Sequence, residues 1–200
     1  MCGIVGAISQ RDITNILVKG LQRLEYRGYD SAGVCIVTDN DELERRRTVG
    51  KVKNLEKLIE AQPLSGFCGI AHTRWATHGV PSETNAHPHM CGDVALVHNG
   101  IIENYEVLRK QQLETGHQFD SDTDTEVIVH AVSDAYKKTN DLLASVQKTV
   151  KSLEGAYALG VVEKGNNDHL IAVRKGSPLV IGIGNNEHFI ASDVFALLGE

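Results

Sequence analysis

The second residue of this sequence is a cysteine, directly after the initiator methionine. Cellular processing removes Met1 when the next side chain is small, so Cys2 can become the first residue and carry a thiol and a free α-amine together. The ordinary pKa of an α-amine is about 7.7–8.0, and that of a thiol is about 8.5. Such an amine can take the proton of its own thiol, so position 2 predicts an N-terminal nucleophile. The alternative is a small apolar residue at the start of a buried strand.

Six different short blocks, rich in polar residues and glycine, are spread along the chain and could build a binding site. In order, they are Met-Cys-Gly-Ile-Val-Gly at 1–6, Leu-Glu-Tyr-Arg-Gly-Tyr-Asp-Ser-Ala-Gly at 24–33, His-Thr-Arg-Trp-Ala-Thr-His-Gly at 72–79, Asn-Ala-His-Pro-His at 85–89, His-Asn-Gly-Ile-Ile-Glu-Asn at 98–104 and Ser-Asp-Thr-Asp-Thr-Glu at 121–126. Taken alone, Asn99-Gly100 is typical of a turn after a strand. Taken alone, Asp124 is typical of an acidic residue that stabilises the start of a helix.

The spacing of apolar residues predicts the elements that must position these blocks. Helices are predicted at 12–25, 53–61, 104–115, 124–138 and 141–153, and strands at 1–9, 31–38, 43–49, 67–73, 94–98, 156–163, 169–174, 179–183 and 187–191. Thr123-x-x-Glu126 predicts a capping box, and 75–92 is predicted as a long functional loop. Strands, then helices, then strands again favour an α+β fold with largely antiparallel sheets over a regular βαβ alternation.

Composition and charge exclude several classes of protein. The chain is 42% hydrophobic and 23% charged, which is ordinary for a globular domain. Its net charge of −6 argues against a general nucleic-acid or anionic-membrane binder. The basic run Arg45-Arg46-Arg47 is flanked by Glu42 and Glu44, which favours a solvated strand edge. No apolar run approaches the roughly 18 residues of a membrane span.

The cysteines and the N-terminal segment predict a cytoplasmic location. The chain has 4 cysteines and no CxxC motif, which favours free thiols in a reducing compartment. The apolar start has no basic residues before it and is followed at once by Arg11-Asp12, so it makes a poor signal peptide.

Together, the blocks resemble the class II glutamine amidotransferase family along essentially the whole chain. The blocks at 24–33 and 72–79 are the more specific ones and resemble the branch that aminates fructose 6-phosphate. The alternative branch, the amidophosphoribosyltransferases, typically has His-Arg-Gly where this chain has Tyr26-Arg27-Gly28. The resemblance implies an N-terminal nucleophile hydrolase fold, a four-layer αββα sandwich of antiparallel sheets. It also implies hydrolysis of L-glutamine to glutamate and ammonia, with no cofactor and no metal.

The resemblance implies a role for three catalytic residues. Cys2 becomes the nucleophile, which forms a glutamyl thioester with the side chain of glutamine. Asn99 and Gly100 become the oxyanion hole, through a side-chain N–H and a backbone N–H. These residue types suit that role, because an amide is a neutral donor and glycine lets the backbone approach the substrate closely.

The resemblance also implies which residues bind the substrate. Arg74 holds the α-carboxylate, for which a planar guanidinium is well suited, and Asp124 pairs with the α-ammonium. Trp75 forms a hydrophobic lid, with core packing as the alternative. The remaining predicted substrate contacts are Thr77, His78 and His87.

In the family, further strands and a large sugar-phosphate isomerase domain follow these blocks. The resemblance therefore implies a longer protein, a homodimer, that uses the ammonia to convert fructose 6-phosphate to glucosamine 6-phosphate. Because this chain ends at Glu200, residues 1–200 are expected to be an amidotransferase domain shortened at its C-terminal end, without the isomerase domain.

Other chemistries remain as alternatives. His87-x-His89-x-Cys91, with His72 and His78 nearby, offers zinc-ligand types, but the spacing matches no structural zinc pattern. A papain-type Cys–His enzyme lacks its local signature around the cysteine. The Gly-x-Gly at 182–184 lacks the rest of a dinucleotide fingerprint. A non-catalytic binding module is the last alternative.

Overall fold

Two antiparallel sheets form the centre of the computed structural model, which describes residues 2–76 and 79–199. The strands are β1 Gly3–Ser9, β2 Ser31–Thr38, β3 Leu43–Val49, β4 Gly66–Arg74, β5 His89–Cys91, β6 Val94–Ile102, β7 Gly155–Glu163, β8 Ile171–Lys175, β9 Val180–Ile183 and β10 Glu187–Ala191. The first sheet has the order β3-β2-β4-β1-β10-β9, and the second has the order β5-β6-β7-β8. Neighbouring strands pair antiparallel throughout both sheets.

Helices cover the outer face of each sheet. They are α1 Thr14–Arg23, α2 Val52–Ala61, α3 Tyr105–Glu114, α4 Thr125–Thr139 and α5 Leu142–Val150, with short 3-10 turns at Glu25–Arg27 and Val194–Leu197. The first sheet packs against α1 and α2, and the second packs against α4 and α5. No helix within the described ranges is long and apolar enough to cross a membrane.

Alternation along the strands divides the apolar residues among three cores. On β1, Val5 belongs to the core under the helices of its own sheet, and its neighbour Ile4 belongs to the core between the sheets. On β6, Leu96 faces α4 and α5, whereas Val97 packs between the sheets. The layers are therefore helix, sheet, sheet and helix, which confirms the α+β class and the αββα sandwich.

The predicted strand 94–98 is too short, because β6 continues to Ile102. Asn99 and Gly100 lie inside β6 and pair with Ala158 and Tyr157, so the alternative of a turn after the strand is wrong. Gly100 has a φ of +125°, and a Cβ there would lie 2.1 Å from the carbonyl oxygen of Ala156. Glycine is required by this close approach inside a strand.

The predicted loop 75–92 and two helix ends also need correction. The loop contains β5, which pairs with the start of β6. Helix α1 ends at Arg23, before a separate 3-10 turn, and α5 ends at Val150. Apolar spacing continued past both ends and concealed these changes of geometry.

The capping box predicted at Thr123-x-x-Glu126 is wrong. Helix α4 takes Asp124 as its N-cap residue, without a side-chain capping hydrogen bond. The Glu126 carboxylate instead accepts the backbone N–H groups of Asp120 and Ser121, at 2.9 and 2.8 Å. The hydroxyl of Thr123 lies 3.0 Å from Nε2 of His89, so it is committed to the neighbouring sheet.

The basic run lies on β3 at the edge of the first sheet, as predicted, but its side chains are half-buried. Arg45 donates to the carbonyl oxygen of Pro88 at 3.0 Å. Arg47 donates to the carbonyl oxygens of Thr84 and Ala86, at 3.1 and 2.8 Å. The run therefore holds the chain that leads into β5 rather than only facing solvent.

Candidate active site

Three strands bring polar residues to one end of the space between the sheets. Side chains two residues apart along an extended chain lie on the same face of a sheet. The core between the sheets, here called the inner core, therefore continues from its apolar residues to Cys2 just before β1, to His72 on β4 and to Asn99 on β6. Those apolar residues are Ile4, Ile70 and Val97. The inner core thus ends in a cysteine, a histidine and an amide.

The thiol of Cys2 is held by the backbone of Trp75. The Trp75 N–H donates to Sγ at 3.2 Å, and Sγ lies 3.6 Å from the Trp75 carbonyl oxygen. Burial raises the pKa of the Cys2 thiol, against the opposing effects of the Trp75 N–H and the Arg74 charge. The thiol is therefore protonated near neutral pH and needs a base. The indole of Trp75 is 52% exposed, so the alternative that it packs in the core is wrong.

The amide of Asn99 joins both sheets. Its Nδ2 donates to the carbonyl oxygen of Cys2 at 3.2 Å, and its Oδ1 lies 2.9 Å from Nε2 of His72. Gly100 follows on β6 and lines the same pocket as Cys2. The amide N–H therefore lies on the side of Asn99 that faces the nucleophile.

Arg74 is the last residue of β4 and is 3% exposed. Its guanidinium lies 3.9 Å from Asp30 Oδ1 and donates to the carbonyl oxygen of Gly79 at 3.5 Å. Asp30 also accepts the N–H of Ala76 at 2.5 Å, so it fixes the chain just after Arg74. A buried cation thus sits one residue from the backbone that holds Cys2.

Asp124 adds a carboxylate to the lining of the pocket that contains Cys2 and Arg74. Its Oδ2 accepts the N–H of Ile102 at 2.9 Å, and its Oδ1 lies 3.9 Å from Nδ1 of His98. Asp124 is 4% exposed. The contact with Ile102 ties the start of α4 to the end of β6.

The histidines around the pocket, His72, His87 and His98, are buried, and His72 and His87 are neutral. Burial lowers the pKa of His72 to about 3 and that of His87 well below its ordinary value. Their rings stack at 4.2 Å between centroids. Nε2 of His87 and Nδ1 of His98 both lie within hydrogen-bond distance of the Thr125 hydroxyl, at 2.8 and 2.9 Å. Arg74 and Asp124 bring opposite charges to the same pocket.

Cys2 lines two neighbouring spaces, which also share Trp75 and Gly100. The polar pocket holds only about 20 Å³ and is lined by Cys2, Arg74, Trp75, His87, His98, Gly100, Thr123, Asp124 and Thr125. The wider cleft, of about 400 Å³, is lined by Cys2, Arg27, Trp75, Asn99, Gly100, Ile101, Ser177 and Pro178. Every predicted site residue within the described ranges borders one of these spaces. The predicted contacts Thr77 and His78 lie outside the described residues.

Sequence reasoning missed several residues that support the site. Asp30 and Arg27 belong to the block at 24–33, but no role was predicted for them. Nη1 of Arg27 lies 3.4 Å from the carbonyl oxygen of Cys2, and Nη2 pairs with Asp193 at 2.6 Å. Thr125 and His72 also lie inside quoted blocks, where a single sequence offers no signal that separates them from their neighbours.

The described residues hold no cluster of three or more His, Cys, Asp or Glu side chains suited to a metal ion. Of the histidines in the alternative zinc motif, His87 lies against the Thr125 hydroxyl and His89 against that of Thr123.

This αββα sandwich carries a cysteine, an amide, a buried arginine and a buried aspartate at the end of its inner core. That is the layout of an N-terminal nucleophile amidotransferase. Residues 72–199 match the family model of the glutamine amidotransferase domain. The chain belongs to this family.

Among characterised proteins, the chain is similar to glutamine–fructose-6-phosphate aminotransferase (isomerizing) of Shewanella oneidensis, with 59% identity over 99% of this chain and 32% of that protein. The enzyme of the same name from Haemophilus influenzae is 58% identical over 99% of this chain and 32% of its own length. The chain thus spans about a third of the length of these relatives.

A solved structure confirms the N-terminal nucleophile hydrolase fold. The glutamine phosphoribosylpyrophosphate amidotransferase from B. subtilis, complexed with ADP and GMP, superposes with a TM-score of 0.84 at 27% identity. The match covers 98% of this chain and 43% of that chain.

Proposed function

We propose that this chain is a glutaminase, which hydrolyses L-glutamine to glutamate and ammonia through a thioester on Cys2. The observation that carries the proposal is the convergence of Cys2, Arg74 and Asp124 on the polar pocket, with Asn99 on the cleft that shares Cys2 with it, in a chain of this family. Each of them supplies a separate requirement of the reaction.

The two buried charges select a free amino acid. Arg74 binds the α-carboxylate of glutamine, and Asp124 binds its α-ammonium. Glutamine within a peptide lacks both charges and would leave the two buried groups without ligand partners, which is costly.

The nucleophile requires a base, since burial raises the pKa of the Cys2 thiol. Among the described residues, the hydrogen-bond partners of Sγ belong to the Trp75 backbone. Removal of Met1 would place an α-amine beside Sγ. This amine takes the thiol proton as Sγ attacks the amide carbon of the substrate.

The tetrahedral intermediate carries its negative charge on the former amide oxygen. Asn99 Nδ2 and the Gly100 N–H stabilise this oxygen. The protonated amine then gives its proton to the leaving nitrogen, ammonia departs, and water hydrolyses the thioester to glutamate.

In a longer protein of the kind the relatives represent, an isomerase domain would use the ammonia to convert fructose 6-phosphate to glucosamine 6-phosphate, and the protein would form a homodimer. The names of the relatives and their threefold greater length support this proposal. The phosphoribosyl branch is less favoured, because the likeness to it is only 27% in sequence.

The test compares the processed chain with a variant extended by a few residues before Cys2. We expect the processed chain to release equal amounts of glutamate and ammonia from glutamine and to be labelled on Cys2 by a glutamine-like electrophile. Mass spectrometry establishes each N-terminus, and circular dichroism shows that both proteins fold.

The extended variant should lose most activity, since an amide nitrogen cannot accept the proton at neutral pH. Cys2→Ser in the processed chain is the control that keeps the amine but weakens the nucleophile. A folded, processed chain that releases no glutamate would contradict the proposal. An extended chain that matches the processed rate would place the base elsewhere.

A further inference from the structure

A hydrogen-bonded relay leads from β4 to the nucleophile. Nε2 of His72 lies 2.9 Å from the carbonyl oxygen of His98 and 2.9 Å from Oδ1 of Asn99. On the other side of the same amide, Nδ2 of Asn99 donates to the Cys2 carbonyl oxygen at 3.2 Å. His72 is fully buried, and its hydrogen-bond contacts with the site are this amide and the backbone of β6, while its ring stacks on His87.

The surroundings of His72 determine which ring nitrogen carries the proton. A carbonyl oxygen only accepts, so the contact with His98 requires the hydrogen on Nε2. Nδ1 is buried and has no hydrogen-bond partner among the described residues, so a proton there would be unsatisfied. Because burial lowers the pKa of His72 to about 3, the ring stays neutral and keeps this tautomer at neutral pH.

This tautomer in turn determines the orientation of the Asn99 amide. With Oδ1 toward His72, Nε2–H meets an acceptor and Nδ2–H points to the Cys2 side. Rotation of the amide by half a turn would place two donors in contact at His72 and two oxygens in contact at Cys2. Both contacts are repulsive in a buried site, where they cannot be relieved by water.

We propose that His72 is a positioning residue, whose Nε2–H holds the Asn99 amide with its N–H directed at the oxyanion formed on the substrate. The inference rests on the proposed function, in which Asn99 stabilises that oxyanion. His72 does not touch the reacting atoms and acts only through Asn99.

The experiment compares two polar substitutions that differ in where they place an N–H. His72→Gln puts its amide nitrogen near the position of Nε2, whereas His72→Asn puts it near Nδ1. We expect the Gln variant to keep kcat within about fivefold, and the Asn variant to lose roughly 10- to 100-fold. Loss of an oxyanion donor itself costs about 10²- to 10³-fold. KM for glutamine should change little in both, because Arg74 and Asp124 bind the ground state.

A double-mutant cycle with Asn99→Ala separates this role from a structural one. In the Asn99→Ala background, His72→Asn should cost less than about twofold in kcat, since the amide that His72 orients is gone. Circular dichroism and thermal unfolding check that each variant folds, and kinetics are compared among folded proteins.

The failures of the two proposals give different results. If Asn99→Ala keeps full kcat, the assignment of Asn99 to the oxyanion hole is wrong. If Asn99→Ala lowers kcat but the Gln and Asn variants of His72 behave alike, or the cost of His72→Asn persists without Asn99, the positioning role is overturned. Should His72→Asn unfold while His72→Gln stays folded and inactive, the same conclusion follows, since the donor alone does not restore activity.

Discussion

Two cysteines of this chain lie in opposite chemical surroundings. Cys2 closes the inner core beside the Trp75 backbone, and burial raises the pKa of its thiol. Cys91, at the end of β5, lies 3.5 Å from Nδ1 of His130, and Nε2 of His130 lies 3.5 Å from Glu126. Among the described residues, Cys91 thus has the cysteine–histidine–acid arrangement that activates a thiol, and Cys2 does not.

The electrostatics follow this arrangement. The hydrogen bond with His130 lowers the pKa of Cys91, against its partial burial. Burial acts to lower the pKa of His130, but its contacts with Cys91 and Glu126 raise it to about 9. Burial likewise opposes the ionisation of Glu126, but hydrogen bonds from His130 and Ser121 bring its pKa to about 2. The His130 imidazolium therefore stands between the Glu126 carboxylate and the sulfur of Cys91.

The comparison shows that an activated thiol and a substrate pocket are separate requirements. The described surroundings of Cys91 do not include the buried arginine and aspartate that converge beside Cys2. Among the described residues, Cys2 has the pocket but no histidine at its sulfur, which is the arrangement that an N-terminal amine completes. The predictions below test this division.

The largest effect is expected when the two thiols are replaced in turn. Cys2→Ser should lower glutamine hydrolysis by about 10⁴-fold or more, because removal of a nucleophile abolishes the covalent route. Cys91→Ser should retain activity within about twofold. Steady-state release of glutamate measures both, and an inactive, folded Cys91→Ser variant would refute the division of roles.

The second largest effect is expected at Arg74, the buried cation beside Cys2. If Arg74 binds the substrate carboxylate as proposed, Arg74→Lys should weaken kcat/KM for glutamine by roughly 10- to 150-fold, which corresponds to about 1.5–3 kcal/mol for a charge-assisted contact. Lysine keeps the charge but loses the paired N–H geometry. Unchanged KM and kcat/KM values would show that Arg74 does not anchor the carboxylate.

How much of this could be read from the sequence differs between fold and site. The strand bounds at 31–38 and 43–49 were predicted to the residue, because turn-forming residues, Asp39-Asn40-Asp41 between the strands and Gly50 after them, define the ends locally. The extension of β6 to Ile102 was missed, because Gly100 is typical of a turn, and only its pairing with Tyr157 makes it part of a strand.

The site residues came from ordered blocks, which name the participants but not the contacts between them. His72 contacts Asn99 on a strand of the other sheet. The Glu126 carboxylate accepts N–H groups of Asp120 and Ser121, which lie in the non-helical segment before α4. Such contacts depend on sheet stacking and helix placement, which no local pattern encodes. The capping-box error has this cause.

The Cys91 region should show its role in stability rather than activity. His130→Gln is expected to lower the free energy of unfolding by about 2 kcal/mol at pH 6, as for other hydrogen bonds to charged groups. Because the folded-state pKa of about 9 exceeds the ordinary value of 6.5, this stabilisation is complete below pH 6.5 and is lost as pH rises through 9. Urea unfolding of both proteins at pH 6 and pH 10 tests this. A difference that does not shrink at pH 10 would contradict the ion pair.

The smallest and sharpest effect concerns the order in which the thiols react. In the Cys2→Ser background, Cys35 and Cys68 are fully buried and burial raises the pKa of each to about 12, so neutral alkylating reagents should reach Cys91 first. Its rate against pH should rise at lower pH than that of a free thiol, since the thiolate is the reactive form. His130→Gln should move this profile to higher pH without adding labelled sites. Mass spectrometry of iodoacetamide-treated protein gives both the site and the rate, and a profile unmoved by His130→Gln would show that the imidazole does not stabilise the thiolate.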